Sequence, residues 1–294
     1  MRFEYIHFVR VKYPVALLCR VLDVSRQGYE RYKKSLTKPP KYAALLAEIK
    51  AIMEEDEFND SYGRDRLADA LGLRGWKISP STLFRICNKY GILKKKKTPN
   101  GLTKSGKDAY KNDDKLQGDF ASDQPGKKLV GDITQLPCAD GTLYIAGVFD
   151  CFDTYCTGLA MDDNMRDELT QSSLNMAVYS HKIKNAIFHS DRGSQYTSDE
   201  FRTLIKKASL TQSMSLARLS CYGNAKCESI WGRFKVEAIY GRYNTKLMKM
   251  ADVKNLVFRY FMGYWNNRRV CSAIGGVTPA LKRQRFFDHL ALAA

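Results

Sequence analysis

The stretch AIFHSDRGS, residues 186–194, decides the fold, because a short apolar run ends there in a polar turn. Its length and its aromatic and β-branched content are typical of a buried strand, and Gly193 marks the break. This pattern predicts that Asp191 lies at the carboxyl end of a strand. Downstream, Ser198 predicts the start of a helix that runs to Lys207, and residues 210–216 predict another short strand.

Two further acidic residues occupy positions that need an explanation. Asn224 begins a pattern of helical spacing, so Glu228 is predicted in the first turns of a helix. Upstream, residues 129–136 alternate as a strand with Asp132 at its middle. An isolated acid is ordinarily a turn residue or a solvated helix position, but a buried carboxylate needs a positive partner and this strand supplies none. Three acids from separate elements favour a divalent cation such as Mg²⁺.

Four sequence strings carry a family resemblance: VGDIT (130–134), HSDRGSQYTSDEF (189–201), NAKCESIWGRFK (224–235) and YWNNRR (264–269). Together they resemble the DDE core of insertion-sequence transposases of the IS-three family, whose transposase is encoded in two overlapping frames. The chain is similar to the second-frame product along nearly its whole length. It departs from that pattern at Leu129, where the family often has an aromatic residue, and at Cys271, where it often has histidine.

The resemblance implies an α/β (α+β) fold, a ribonuclease H-like catalytic core with a mixed five-stranded sheet and flanking helices. It also implies that Asp132, on the first strand, Asp191, at the end of the fourth, and Glu228, on a following helix, are catalytic. These three would hold two Mg²⁺ ions, for which Mn²⁺ would substitute. An all-α helix-turn-helix region is expected to precede this core.

The charge balance favours an extended polyanion as partner. The chain has 48 basic and 31 acidic residues, a net charge of +17, and the excess is spread over both halves. Basic ribosome-associated and membrane-surface proteins share such a balance, so charge alone does not select DNA. The eight cysteines form no CxxC pair and the four histidines are scattered, which argues against a zinc module. No signal peptide or long apolar run is present, so a soluble, intracellular protein is expected. The family resemblance implies a cytoplasmic, nucleoid-associated bacterial protein.

The N-terminal part is predicted to be helical and to bind DNA. Residues 1–36 contain two helices around a turn at Asp23, which is a weak helix-turn-helix pattern, and an ordinary helical hairpin is the alternative. Residues 42–93 give three helices, the last capped at Ser79–Pro80, which suits a helix-turn-helix domain. A purely structural bundle remains the alternative. The residues predicted to meet DNA at the start of the last helix are Ser81, Thr82 and Arg85.

Further DNA contacts are predicted in the linker and the core. Residues 94–128 form a polar linker that begins with four lysines, Lys94, Lys95, Lys96 and Lys97, although such a run is usually only solvated chain. Arg268 and Arg269, which end an amphipathic helix over 253–265, are candidates for phosphate contacts, and Arg192 beside the second acid is another.

The catalytic core is assigned to residues 129–290. It begins with strands over 129–136, 142–149 and 154–161, with Asp140-Gly141 as the first hairpin turn, followed by a helix over 166–180. Competing acids follow these strands, but they lie beside turns, where solvated Asp is expected. They are Asp150, Asp153, Asp162 and Asp163.

These observations predict a Mg²⁺-dependent DDE transposase, a polynucleotidyl transferase that cleaves and joins DNA strands at the ends of its element. A structure-selective nuclease on the same fold and a DNA-binding regulator with an inactive core are the alternatives. The expected partner is double-stranded DNA, as terminal repeats and as target. By resemblance, the protein assembles with copies of itself on DNA and joins a first-frame product made by frameshifting.

Overall fold

The computed structural model describes residues 1–37, 42–93, 114–215 and 223–293. They form two compact units, Met1–Ala51 and Ile52–Ala294. Within these residues, no helix is both long enough and apolar enough to cross a membrane.

The first unit is a small helical bundle. Its helices are α1 (Arg2–Val9), α2 (Val15–Val21), α3 (Arg26–Leu36) and the beginning of α4 (Ala43–Glu55). The first three pack around a small core of Ile6, Leu18, Cys19 and Tyr29. The predicted turn is present: Asp23 has a φ of 49°, and the Ser25 hydroxyl caps α3 by accepting from the Gly28 N–H. The positive φ lets α3 leave α2 sharply, at a residue type that tolerates this conformation.

The second unit begins with two more of the predicted helices, α5 (Arg64–Leu73) and α6 (Pro80–Lys89). The Ser79 hydroxyl caps α6 by accepting from the Thr82 N–H, with Pro80 in the first turn, as the sequence predicts. Leu83, Ile86 and Cys87 give α6 a buried face, whereas Phe84 is 45% exposed.

The core is a mixed five-stranded sheet with flanking helices, which confirms the predicted fold class. Its strands are β1 (Lys128–Cys138), β2 (Gly141–Asp150), β3 (Cys156–Asp162), β4 (Ile187–Ser190) and β5 (Thr211–Met214). They lie in the order β3-β2-β1-β4-β5, with β1 antiparallel to β2 and parallel to β4. The first hairpin turn is shifted by one residue from the prediction, because Cys138 pairs with Gly141 and leaves Ala139–Asp140 as the loop.

The helices that flank this sheet close the core. They are α7 (Asp167–His181), α8 (Ser194–Thr197), α9 (Asp199–Lys207), α10 (Ala225–Phe234), α11 (Met250–Phe258) and α12 (Pro279–Ala293). On one face, Leu174 of α7 and Phe201 of α9 pack with Phe188 of β4. On the other face, Trp231 of α10 stacks edge-on against Phe149 of β2.

Two helices continue as π-helices, which the sequence pattern does not predict. The segment Lys235–Ile239 follows α10, and Arg259–Trp265 follows α11. In the first, Glu237, Ala238 and Ile239 are buried in succession, a pattern that the 3.6-residue period of an α-helix does not give. The predicted single helix over 253–265 is therefore an α-helix that widens into a π-helix.

Candidate active site

Asp132 and Asp191 lie at the same level of the sheet. The parallel strands β1 and β4 pair Val130 with His189, and each acid follows its paired residue by two positions. On β1, Asp132 points to the face of Trp231, since its antiparallel partner Gly147 has no room for a Cβ against that indole (2.9 Å). The alternation that the sequence indicates for β1 is therefore present.

Glu228 lies in the first turn of α10, which begins after Asn224, and its charge acts on Asp132. The helix packs against β1, and Glu228 is exposed at its start. An asparagine at this position normally accepts a hydrogen bond from the first turn of the helix. The Asn224 side chain does not make that bond. Its amide Nδ2 instead donates to the carbonyl of Gly131, 3.0 Å away and next to Asp132.

The negative charges of Asp191 and Glu228 both act on the carboxylate of Asp132. Burial, together with the negative charges of Asp191 and Glu228, raises the pKa of Asp132 from 3.8 to about 7. Partial burial also raises the pKa of Glu228. After burial, the nearby charges of Asp132 and Asp191 add to the raised pKa values of Tyr196 and Cys227. The ionised form of Asp132 is thus disfavoured by its surroundings.

The donor chemistry fits a hard divalent cation. Carboxylate oxygens are the ligands that Mg²⁺ prefers, and a cation would relieve the repulsion that raises the Asp132 pKa. Within the described ranges, no three acidic, histidine or cysteine side chains are close enough together to hold a metal ion. Asp191 and Glu228 therefore act on Asp132 through their charges, but the three side chains do not lie close enough together to form a complete set of metal ligands.

The competing acids Asp150 and Asp153 are not solvated turn residues, which corrects the sequence-based expectation. Both are fully buried, and both bind the guanidinium of Arg283, at 2.7 Å each. Asp150 also accepts from the backbone N–H groups of Gly126 and Phe152. These ion pairs hold helix α12 against the sheet, and both carboxylates are engaged in them.

Arg269 lies in the interior rather than on a surface that DNA could reach. It is 1% exposed, and its Nε and Nη2 both donate to Glu237 at 2.8 Å, while Tyr260 Oη donates to the same carboxylate. Arg66 forms a further ion pair with Glu237. Against the effect of burial, these partners lower the pKa of Glu237 to about 2. The phosphate contact predicted for Arg269 would require this buried network to open.

The other predicted contact residues of the core lie nearer the surface. Arg268 is largely exposed and is ion-paired with Asp56 at 3.1 Å. Arg192 is half-buried beside Asp191, with Nε donating to the Ser215 carbonyl at 2.7 Å. Lys235 was missed by the sequence analysis, although its seven-residue spacing from Glu228 was a usable signal. It is half-buried, and the Asp132 charge partly offsets the lowering of its pKa by burial.

The predicted contacts on α6 lie at its accessible start. Ser81 and Arg85 are exposed, while Thr82 is half-buried and accepts from the Ser79 hydroxyl. The predicted linker lysines, Lys94–Lys97, lie outside the described residues.

Comparison with known proteins gives matches over the core and over nearly the whole chain. Residues 122–219 match the family model of the integrase core domain. The chain is 29% identical over 285 residues to the transposase InsF for insertion sequence IS3A of Escherichia coli (strain K12), covering 95% of this chain and 97% of that protein. It is 28% identical over 276 residues to an uncharacterized 31 kDa protein of insertion element IS600 from Shigella sonnei, covering 93% of this chain and 100% of that protein.

Solved structures give more distant matches. The simian T-cell lymphotropic virus intasome in complex with PP2A regulatory subunit B56 gamma aligns with a TM-score of 0.46 at 16% identity, over 76% of this chain and 70% of that chain. The HTLV-2 integrase catalytic core domain in complex with magnesium (trimeric form) aligns with a TM-score of 0.38 at 13% identity, over 55% of this chain and 99% of that chain. The family model and the sequence relatives agree with the resemblance carried by the four sequence strings.

Proposed function

We propose that the chain, which is similar to the transposase InsF of IS3 and matches the integrase core domain over residues 122–219, is an insertion-sequence transposase that catalyses metal-dependent cleavage and joining of DNA strands at the ends of its own element. The proposal rests on three carboxylates from separate elements, two of which raise the pKa of the third. Asp132 and Asp191 lie level on parallel strands, and the charge of Glu228 adds to the raised pKa of Asp132.

Asp132, Asp191 and Glu228 are the residues that would hold Mg²⁺, or Mn²⁺ in its place, as a pair of ions. When bound, such ions activate water or a terminal 3′-hydroxyl for in-line attack on a phosphodiester and stabilise the leaving oxygen. The protein's contribution is orientation. The two aspartates are fixed by the strand register, and Glu228 is fixed by the start of α10. No residue of this set needs to form a covalent intermediate with DNA.

DNA is the proposed partner of the helical N-terminal region. In the first unit, α2, the turn at Asp23 and α3 have the form of a helix-turn-helix, and α3 exposes Arg26, Arg31 and Lys34 on its outer surface. In the second unit, the start of α6 offers Ser81, Thr82 and Arg85. The net charge of +17 supports a polyanionic partner.

Further contacts are proposed outside the helical region. Phosphate contacts would come from Lys94–Lys97, Arg192 and Arg268. For this contact, Arg268 must break its ion pair with Asp56 and bind a DNA phosphate instead. Assembly of several copies on paired element ends, and fusion to a first-frame product, remain proposals that rest on the family resemblance.

The experiment that tests the function compares three isosteric variants, Asp132→Asn, Asp191→Asn and Glu228→Gln, on oligonucleotides that carry the element's terminal repeat. Each variant should abolish Mg²⁺- and Mn²⁺-dependent cleavage and strand joining while it still binds the ends. Asp163→Asn, an exposed acid after β3, is the matched control and should keep full activity. Full activity of Asp191→Asn would refute the assignment, and cleavage without joining by the wild type would favour a nuclease.

A further inference from the structure

The start of helix α10 is held against β1, which carries Asp132, and against β4, which ends one residue before Asp191. Gly223 lies so close to Ser215, just after β5, that a Cβ at Gly223 would be 2.2 Å from the Ser215 Cβ. Real carbon atoms do not approach so closely, so a residue with a side chain at this position would displace the helix start. The close approach brings the backbone of Gly223 within reach of β4 and the side chain of Asn224 within reach of β1.

His189 makes the link to the strand that carries Asp191. It is fully buried on β4, two residues before that aspartate, and its Nε2 lies 2.7 Å from the Gly223 carbonyl oxygen. A carbonyl only accepts hydrogen bonds, so Nε2 carries the proton. The other ring nitrogen, Nδ1, lies 2.9 Å from the Ser213 hydroxyl. A neutral imidazole with its proton on Nε2 has an acceptor at Nδ1, so the Ser213 hydroxyl donates to Nδ1, and Ser213 Oγ itself accepts from the Lys115 N–H at 2.9 Å.

Asn224 makes the link to the strand that carries Asp132. It is 4% exposed, and its Nδ2 donates to the carbonyl of Gly131 across 93 positions of sequence. An asparagine that precedes a helix normally accepts from an N–H of the first turn, and here it does not. Its side chain joins the helix to β1 instead, at the residue next to Asp132.

Both links lie about one helical turn before Glu228. Asn224 is four residues earlier, a distance of about 6 Å along the helix, and the Glu228 N–H donates to the Asn224 carbonyl at 3.1 Å. A displacement of the helix start therefore passes directly to the Glu228 carboxylate. A misplacement of about 1 Å in a catalytic constellation can cost about 100-fold in rate.

We propose that His189 and Asn224 are positioning residues that set the place of Glu228 relative to Asp132 and Asp191 and touch neither DNA nor metal. The proposal rests on the proposed function, since it assigns the three carboxylates to one site. It goes further in stating that the third carboxylate is placed by two buried hydrogen bonds at the start of its helix.

The test compares Asn224→Ala and His189→Phe with Thr157→Val. The control removes a different buried hydrogen bond, from Thr157 Oγ1 to the Val148 carbonyl, and so corrects for a simple loss of stability. We expect both positioning variants to raise the Mn²⁺ concentration for half-maximal thermal stabilisation by about 10-fold. We also expect them to lower strand joining by about 100-fold, with end binding unchanged. His189→Gln, which keeps a donor for the Gly223 carbonyl, should recover part of both losses.

The possible outcomes separate this inference from the proposed function. One outcome is that the wild type joins strands while the positioning variants match Thr157→Val in both metal response and rate. That result would overturn this inference and leave the proposed function standing. A wild type that neither responds to Mn²⁺ nor joins strands would overturn both. If His189→Phe fails to fold, Asn224→Ala decides, because it removes only one side-chain amide. Loss of end binding in Asn224→Ala would also refute the positioning role.

Discussion

Replacing Asp132 by asparagine should stabilise the metal-free protein at neutral and alkaline pH, even though the residue is central to the proposed chemistry. Asn keeps the shape of the side chain but removes a negative charge that the fold disfavours. Burial and the charges of Asp191 and Glu228 raise the pKa of Asp132 from 3.8 to about 7. The folded state therefore binds the Asp132 proton more tightly than the unfolded chain does.

The magnitude follows from the linkage between protonation and folding. Each pKa unit corresponds to about 1.4 kcal/mol, so ionised Asp132 destabilises the fold by at most roughly 4 kcal/mol. Because the side chain is only half-buried and partly screened by solvent, roughly 2–4 kcal/mol is the expected range. Protonated Asp132 carries no penalty below about pH 4. The penalty grows as the pH rises towards about 7 and is constant above it.

The assay is denaturant unfolding of wild type and Asp132→Asn in a chelator at several pH values from about 4 to 8. The stabilisation by the variant should be near zero at the acid end and largest at the alkaline end. Asp163→Asn, at an exposed acid, should show no such pH-dependent gain. Saturating Mg²⁺ should reverse the order, because only the wild type gains binding energy. A gain in unfolding free energy that is independent of pH, or a loss at alkaline pH, would refute the reasoning that burial and the charges of Asp191 and Glu228 raise the pKa of Asp132.

Three further predictions concern stability and DNA binding. Glu237→Gln should destabilise the fold by about 3–5 kcal/mol, because it leaves the buried Arg269 without its charge partner; a change in unfolding free energy below about 1 kcal/mol would contradict the buried network. Arg85→Ala should weaken binding to terminal-repeat DNA by about 1–3 kcal/mol and affect random duplex much less, if Arg85 meets a base edge; equal losses by fluorescence anisotropy on both duplexes would make it a backbone contact. Replacing Lys94–Lys97 together by alanine should flatten the salt dependence of binding to any DNA while sequence preference survives; an unchanged salt slope would mean that these lysines do not meet phosphate.

The local structure around the site was predictable because its signals are local. Ser79 and Ser198 were expected to begin helices, and each hydroxyl accepts a first-turn N–H. The strand that carries Asp132 was expected from alternation, and the strand before Asp191 from a short apolar run. Such patterns depend on neighbouring residues only, so the sequence contains all the information that they need.

Pairings between distant residues were not predictable from one sequence. Asp150 and Asp153 have the local setting of solvated turn residues, yet both are buried and bind Arg283, which lies 133 and 130 positions later. Arg269 ends the polar run Asn266–Arg269 and was a candidate for a phosphate contact, but its partner Glu237 lies 32 positions earlier, in a π-helix that no periodicity indicates. In each case the deciding contact depends on tertiary packing, which overrides the local preference.

The buried cluster around Glu237 has a consequence for how helix α5 is attached to the core within the second unit. Arg66 of α5 and Arg269 approach the same carboxylate, which lies in the π-helix that continues α10. Burying such charges costs much of what their attraction returns, so an apolar cluster of equal volume would give comparable stability. What the ions add is direction, since a bidentate guanidinium accepts only one orientation of the carboxylate. The helix that carries Glu228 is therefore oriented at both ends, by His189 and Asn224 at its start and by this ion cluster just beyond its end.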